Sequence, residues 1–255
     1  QRMTLARTPD SGWYWCNSGN ATSLSSANIT DPSGTWTGGQ AVIRGAMWAY
    51  DVANITAQNG TTLNYGTIYD NLMNMNWGFF LQGRMAALTA QGEWYYDATQ
   101  QKLFVIPIGG VAPSSQTFEV AVTQKGIITG WQRSYITIQD LDFRHQTVSS
   151  VSTEGSSYVT VQNCRMQQAY MAINSYGTSC QFLNNNILEI YATGIQILDT
   201  GTRIEGNTMD NIAMVPGLGQ NNWGYFGIRA QGQNNQIVRN RINTVGYSGI
   251  DAKAN

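Results

Sequence analysis

Five stretches in the second half of the chain can be written one beneath another: Ile136–Phe143 (ITIQDLDF), Val159–Met166 (VTVQNCRM), Cys180–Ile187 (CQFLNNNI), Thr202–Met209 (TRIEGNTM) and Asn235–Ile242 (NQIVRNRI). Their apolar positions Ile138, Val161, Phe182, Ile204 and Ile237 recur at spacings of 23, 21, 22 and 33. A second column, Val151, Ile173, Ile195, Ile228 and Ile250, recurs at 22, 22, 33 and 22, and its last three members each follow a glycine: Gly194, Gly227 and Gly249. One insertion of eleven residues explains both longer steps. A period of about 22 residues, built from short alternating strands and tight polar turns, reads as one coil of a right-handed parallel β-helix.

A third column holds Asn185, Asn207 and Asn240, with Cys164 and Leu141 in the earlier coils. Stacked about 4.8 Å apart, such asparagines are expected to hydrogen-bond to one another and to adopt the left-handed backbone of a solenoid corner. Cys164 and Cys180 fall at non-equivalent positions of neighbouring coils, which argues against a disulfide and for reduced, buried thiols.

Working back from the repeat, residues 1–130 lack the period. They carry alternating runs (AVIRGAMWAYDVANI, EWYYD, KLFVIPI, TFEVAV) separated by NG, GG and PSS turns, the pattern of a β-rich entry region. Trp77–Leu88 (WGFFLQGRMAAL) has helical spacing near its end and is expected to form a short helix. The coils are assigned to residues 131–255, so the fold class is all-β: a right-handed parallel β-helix behind a β-rich entry region.

Composition narrows the chemistry. Only 11% of the 255 residues are charged, against roughly 25% in an ordinary domain, whereas 23 Asn and 21 Gln carry the polarity. Three lysines and eleven arginines set against 15 acids supply no basic face for nucleic acid. No apolar run approaches the 18 or so residues of a membrane span. With His145 as the only histidine and three cysteines in no ligand spacing, a zinc site or a Ser-His triad is excluded. No cofactor is called for; calcium is compatible with such a fold, but no acidic nonapeptide indicates it. Four N-x-Thr sequons, at Asn20, Asn28, Asn54 and Asn59, matter only for a eukaryotic source.

The phrases QRMTLARTPDSGWY (1–14), FFLQGRMAALTAQGEWYYDATQQKLFV (79–105) and NRINTVGYSGI (240–250) resemble secreted bacterial right-handed β-helix proteins of the polysaccharide lyase and glycoside hydrolase kind. The resemblance covers nearly the whole chain but marks architecture more than activity. It implies an extracellular or cell-surface location and a structural role for Glu93–Asp97. It also implies β-structure before the ARTP phrase and further coils after GYSGI, so the final coil is expected to be covered by more of the same polypeptide or by a neighbouring subunit.

Alternation along the second column places Gln196, Arg229 and Asp251 on the outer face when Ile195, Ile228 and Ile250 point inward, with Leu198, Gln231 and Lys253 two residues on. Arg229, Asp251 and Lys253 are therefore candidate catalytic residues. Trp223 and Tyr225, from the insertion at Met214–Tyr225, are candidate substrate-binding residues together with Gln196 and Tyr247. Aromatic rings beside an Arg/Asp/Lys cluster suit a polysaccharide, because sugars stack on aromatics and uronates pair with cations. In a lyase, a Lys or Arg takes the proton beside the uronate carboxyl while a cation or second Arg neutralises it. The bland alternative is a coil-to-coil ion pair with Trp223 packing the insertion down.

Elsewhere, Asp142 and Arg165 are expected to pair across coils, and Arg203 with Glu205 along one strand. Asp140 and Asp142 have a separation suited to a hydrolase acid and base. His145 and Glu189 share a column two coils apart. The function these features point to is an extracellular carbohydrate-active β-helix that binds, and as a lyase or glycoside hydrolase cleaves, a polysaccharide. The rival is a non-catalytic structural or adhesive protein whose coils pack against neighbouring subunits.

Overall fold

The computed structural model describes residues 2–69, 77–221 and 223–253. The chain divides into two compact units, Gln1–Phe118 with Gln220–Asn222, and Glu119–Gly219 with Trp223–Asn255. Asn222 of the insertion and residues 254–255 of the last coil lie outside the described residues.

The second unit is the β-helix. Among the described residues its first sheet stacks Lys125–Ile128, Ser149–Ser152, Met171–Ser175, Ile195–Leu198, Phe226–Gln231 and Ser248–Lys253, all parallel. It therefore begins ahead of residue 131. The second sheet stacks Thr137–Gln139, Thr160–Gln162, Gln181–Leu183, Arg203–Glu205 and Gln236–Val238. The third stacks Asp142–Arg144, Arg165–Gln167, Asn186–Leu188, Thr208–Asp210 and Arg241–Ile242.

Both apolar columns read from the sequence are backbone partners: Val151 on Ile173 on Ile195 on Ile228 on Ile250, and Ile138 on Val161 on Phe182 on Ile204 on Ile237. A third, Phe143, Met166, Ile187, Met209 and Ile242, completes the interior. In the middle coils these side chains are wholly buried, and each such burial stabilises by about 2 kcal/mol. Glycine precedes the apolar residue because coils approach closely there: a Cβ on Gly194 would lie 2.6 Å from the carbonyl oxygen of Gly227.

The asparagine ladder forms. Asn207 Oδ1 accepts from the backbone N–H and the side-chain amide of Asn185, each at 2.9 Å. The N–H of Asn207 donates to Asn240 Oδ1 at 2.9 Å, and that of Cys164 to Asn185 Oδ1 at 3.0 Å. The expected backbone conformation is corrected: the left-handed residues are Asp140, Asn163, Asn184, Gly206 and Arg239, each one position earlier. The ladder asparagines face inward and satisfy N–H groups of the preceding coil.

A second polar stack fills the opposite end of the second sheet. The buried Asp199 carboxylate accepts from Ser175 Oγ at 2.6 Å, Thr202 Oγ1 at 2.8 Å and the N–H of Gly177 at 2.7 Å. Ser175 gives its only proton to Asp199, so Thr153 donates to Ser175, at 2.6 Å. Asn235 Oδ1 then accepts from the N–H of Thr202 at 2.9 Å.

The first unit is a mostly antiparallel sheet in which Gln40–Ala46 lies between Ala49–Asn59 and Gly78–Gln82. Its core includes Leu24, Trp36, Ile43, Leu63, Phe79 and Leu81. Beside it, Glu93–Asp97 pairs with Lys102–Ile106; Glu93 Oε2 accepts from the N–H groups of Thr89 and Ala90 at 3.1 and 3.0 Å. The helix expected in Trp77–Leu88 is instead the strand Gly78–Gln82 followed by a single 3₁₀ turn, Met85–Ala87. Phe79, Phe80 and Leu81 are all buried, and a run buried on both faces loses the alternation that marks a strand. TFEVAV forms no strand either; Val120 and Val122 are exposed, and alternation without a partner in register carries no hydrogen bonds.

Replacing Asn207 with Ala strands two donors of Asn185 and is expected to destabilise the chain by about 3 kcal/mol, seen as a lower urea midpoint at constant slope. Asp199→Ala removes the acceptor of three donors and should cost about 4 kcal/mol, with Asp199→Asn in between. Burial pushes the Cys16, Cys164 and Cys180 thiols above their ordinary range. Iodoacetamide is therefore expected to spare Cys164 and Cys180 in the native chain and to modify both in guanidinium, as read by intact mass; rapid native labelling would contradict the closed coils.

Candidate functional site

The outer column of the first sheet runs Ser152, Asn174, Gln196, Arg229, Asp251, and two residues on lies the column Leu198, Gln231, Lys253. The strand pleat turns these side chains outward wherever the isoleucines turn inward. Arg229 and Asp251 are partners on adjacent coils, with Nε 3.7 Å from Oδ2, and Lys253 Nζ lies 3.9 Å from the same oxygen. Trp223 unites them: Arg229 Cζ is 4.5 Å and Lys253 Nζ 4.6 Å from the centroid of its ring, both within cation–π range.

Electrostatically the cluster is half out of water. The side chains of Arg229 and Asp251 are 13% and 18% exposed, that of Lys253 47%. Burial pulls the Arg229 guanidinium below its ordinary pKa, and Asp251 and then Tyr176 push it back up. Arg229 Nε and Asp251 Oδ2 are both shielded from solvent, and among the described residues neither has a hydrogen-bond partner. Their separation of 3.7 Å exceeds hydrogen-bond length, so the two are held together by charge and not by a direct hydrogen bond.

The structure brings Arg229, Asp251, Lys253 and Trp223 together as the alternation predicts. Gln196 is beside them in the column, its amide donating to Asn174 Oδ1 at 3.3 Å. Tyr225 is placed otherwise than expected: it is buried, and its hydroxyl accepts from the N–H of Gly217 at 3.1 Å, so it anchors the insertion. Tyr247 is half exposed and packs edge-on against Phe226 at 5.8 Å. Tyr176 was not foreseen, although it precedes Leu198, Gln231 and Lys253 in their column and is exposed. The repeat register contained that signal.

Asp142, Glu205 and Glu189 are engaged by neighbouring side chains. Asp142 pairs with Arg144 at 2.7 Å, two residues along its own strand, and not with its cross-coil neighbour Arg165. The hydrogen bond from Arg144 holds the Asp142 carboxyl below its usual range, the opposite of what a general acid beside Asp140 requires. Glu205 takes both Arg203 and Arg239. Between His145 and Glu189 stands Gln168, which donates to Glu189 Oε2 at 2.8 Å, while His145 Nε2 is 3.9 Å from Glu119. Among the described residues no three His, Cys, Asp or Glu side chains converge to hold a metal ion, and no helix is long and apolar enough to cross a membrane.

Compared with known structures, the chain is similar to one described as a glycoside hydrolase, with a TM-score of 0.79 at 13% identity over 98% of this chain. The chain spans 58% of that protein's length. A second similarity, to the tailspike protein gp49 from Pseudomonas phage LKA1, has a TM-score of 0.29 at 10% identity and covers 99% of this chain and 38% of that one. No curated protein matches the chain in sequence. With the stacked parallel coils in place and the family model for the right handed beta helix region matching residues 126–255, the chain belongs to the right-handed β-helix family.

Proposed function

We propose that the chain binds an acidic polysaccharide on the face formed by Arg229, Lys253 and Trp223, and that the reaction suited to this face is elimination across a uronate. The observation that carries the reading is the convergence of two cations on one indole ring, with Asp251 between them. The ring and Asp251 hold the cations in place, and Arg229, half desolvated, presents donors to a carboxylate, where charge-assisted hydrogen bonds are strongest. A glycoside hydrolase built on the same fold supports the choice of a saccharide. Such polymers lie outside cells, so an extracellular or cell-surface location belongs to the proposal.

In the elimination, Arg229 pairs with the uronate carboxylate and makes the neighbouring C–H acidic. Solvent hydroxide takes that proton while Lys253, as a cation, screens the carboxylate; the electron pair forms a carbon–carbon double bond, the glycosidic C–O bond breaks, and the departing oxygen is protonated by water. Hydrolysis fits less well, because it calls for two carboxyl groups about 5 to 10 Å apart, and Asp251 is already committed to two cations.

The test is affinity electrophoresis and ultraviolet detection of unsaturated product with polygalacturonate and alginate, using neutral dextran as the control. Wild-type chain is expected to be retarded by at least one uronate polymer, less so as salt rises, with elimination that speeds up with pH. Arg229→Gln and Lys253→Gln should each weaken binding about tenfold. Retention that both variants preserve would overturn the site; self-association without any retention would favour the structural rival.

A further inference from the structure

On another face of the β-helix, remote in sequence from the cationic cluster, two tyrosines occupy a costly position. One corner of each coil is left-handed, at Tyr135, Tyr158, Ser179, Gly201 and Asn234, with φ of 60°, 55°, 53°, 72° and 57°. Glycine and asparagine accept that backbone readily, whereas a bulky side chain there costs about 1–2 kcal/mol. The tyrosines are not compensated by the core, since Tyr135 is 79% and Tyr158 49% exposed. What they present is a pair of parallel rings, centroids 4.9 Å apart and planes within 1°.

The stack then stops. In the next coil the same corner is Ser179, too small to continue it, so the slot of a third ring lies open beyond the face of Tyr158. A shallow groove of about 310 Å³ runs along these coils, lined by Tyr135, Thr137, Tyr158, Thr160, Ser179 and Gln181. Thr137, Thr160 and Gln181 are cross-coil partners on the outer face of the second sheet, so hydroxyl and amide groups flank the rings in register. None of the six carries a charge. Arg203, next in the column after Gln181, is tied to Glu205 and Gln236.

We infer that this groove is a second saccharide site, for an uncharged glycan whose ring inserts beyond Tyr158 as the third member of the stack. The C–H face of a pyranose meets the phenol ring, and its hydroxyls exchange hydrogen bonds with Thr160, Ser179 and Gln181. Lacking cations, the groove discriminates against nothing by charge and offers no partner to a uronate, which sets its ligand class apart from that of the Arg229 face. The inference shares with the proposed function only the choice of a saccharide and stands on different residues.

Isothermal titration of the whole chain with cellohexaose, xylohexaose and mannohexaose, and with a galacturonate hexamer for comparison, tests it. At least one neutral hexamer is expected to bind. Tyr158→Ala should weaken that binding about tenfold, Tyr158→Phe should retain it, and Ser179→Tyr, which fills the slot without removing a ring, should abolish it. Arg229→Gln should leave it unchanged while weakening the galacturonate hexamer, so either site can fail alone. Binding by none of the neutral hexamers, binding that survives both Tyr158→Ala and Ser179→Tyr, or binding lost in Arg229→Gln would overturn the inference.

Discussion

The middle coils of this protein leave backbone N–H groups at their corners that the strands of the same coil do not satisfy, and side chains of the following coil accept them. Asn185, Asn207 and Asn240 do this at one end of the second sheet, and Thr202 and Asn235 at the other. Because each acceptor reaches only its neighbour, the polar ladders lock the coil-to-coil register. A slip by one residue would strand these donors and also turn the isoleucine columns outward.

That register makes surface chemistry possible with so few charged residues. Residues 22 or 33 apart in sequence become neighbours one coil apart, and any outer column becomes a short row of side chains at fixed spacing. Arg229 and Asp251 form one such row, with Lys253 in the next row two residues along and Trp223 brought over both by an insertion that Tyr225 anchors. Tyr135 and Tyr158 form another, where the coil spacing itself sets the separation of the stacked rings. One row is cationic and partly desolvated, the other neutral and open, so the same scaffold supports two ligand chemistries.

Much of the cationic face was legible in advance because strand alternation, applied to a correct repeat register, decides which side chains point outward. Tyr225 escaped that logic. It belongs to the insertion, outside the repeat, and its burial follows from a hydrogen bond with Gly217 that no periodicity encodes. Asp142 escaped it differently: two cations were available, one across the coil and one along the strand, and side-chain geometry chose Arg144. The strand Gly78–Gln82 reads like a helix because both its faces are buried.

The sequence by itself determined the coil length, the inward columns, the asparagine ladder and the outer face that holds Arg229, Asp251 and Lys253, since all of these follow from periodicity and from the two-residue alternation of strands. Tertiary structure alone decided that Asp199 gathers three donors, that two cations share the indole of Trp223, and that tyrosines stack at a left-handed corner beside an open slot. Those outcomes depend on where side chains end, on turn conformation and on what the next coil leaves empty, and no repeat of residue types along a chain specifies them.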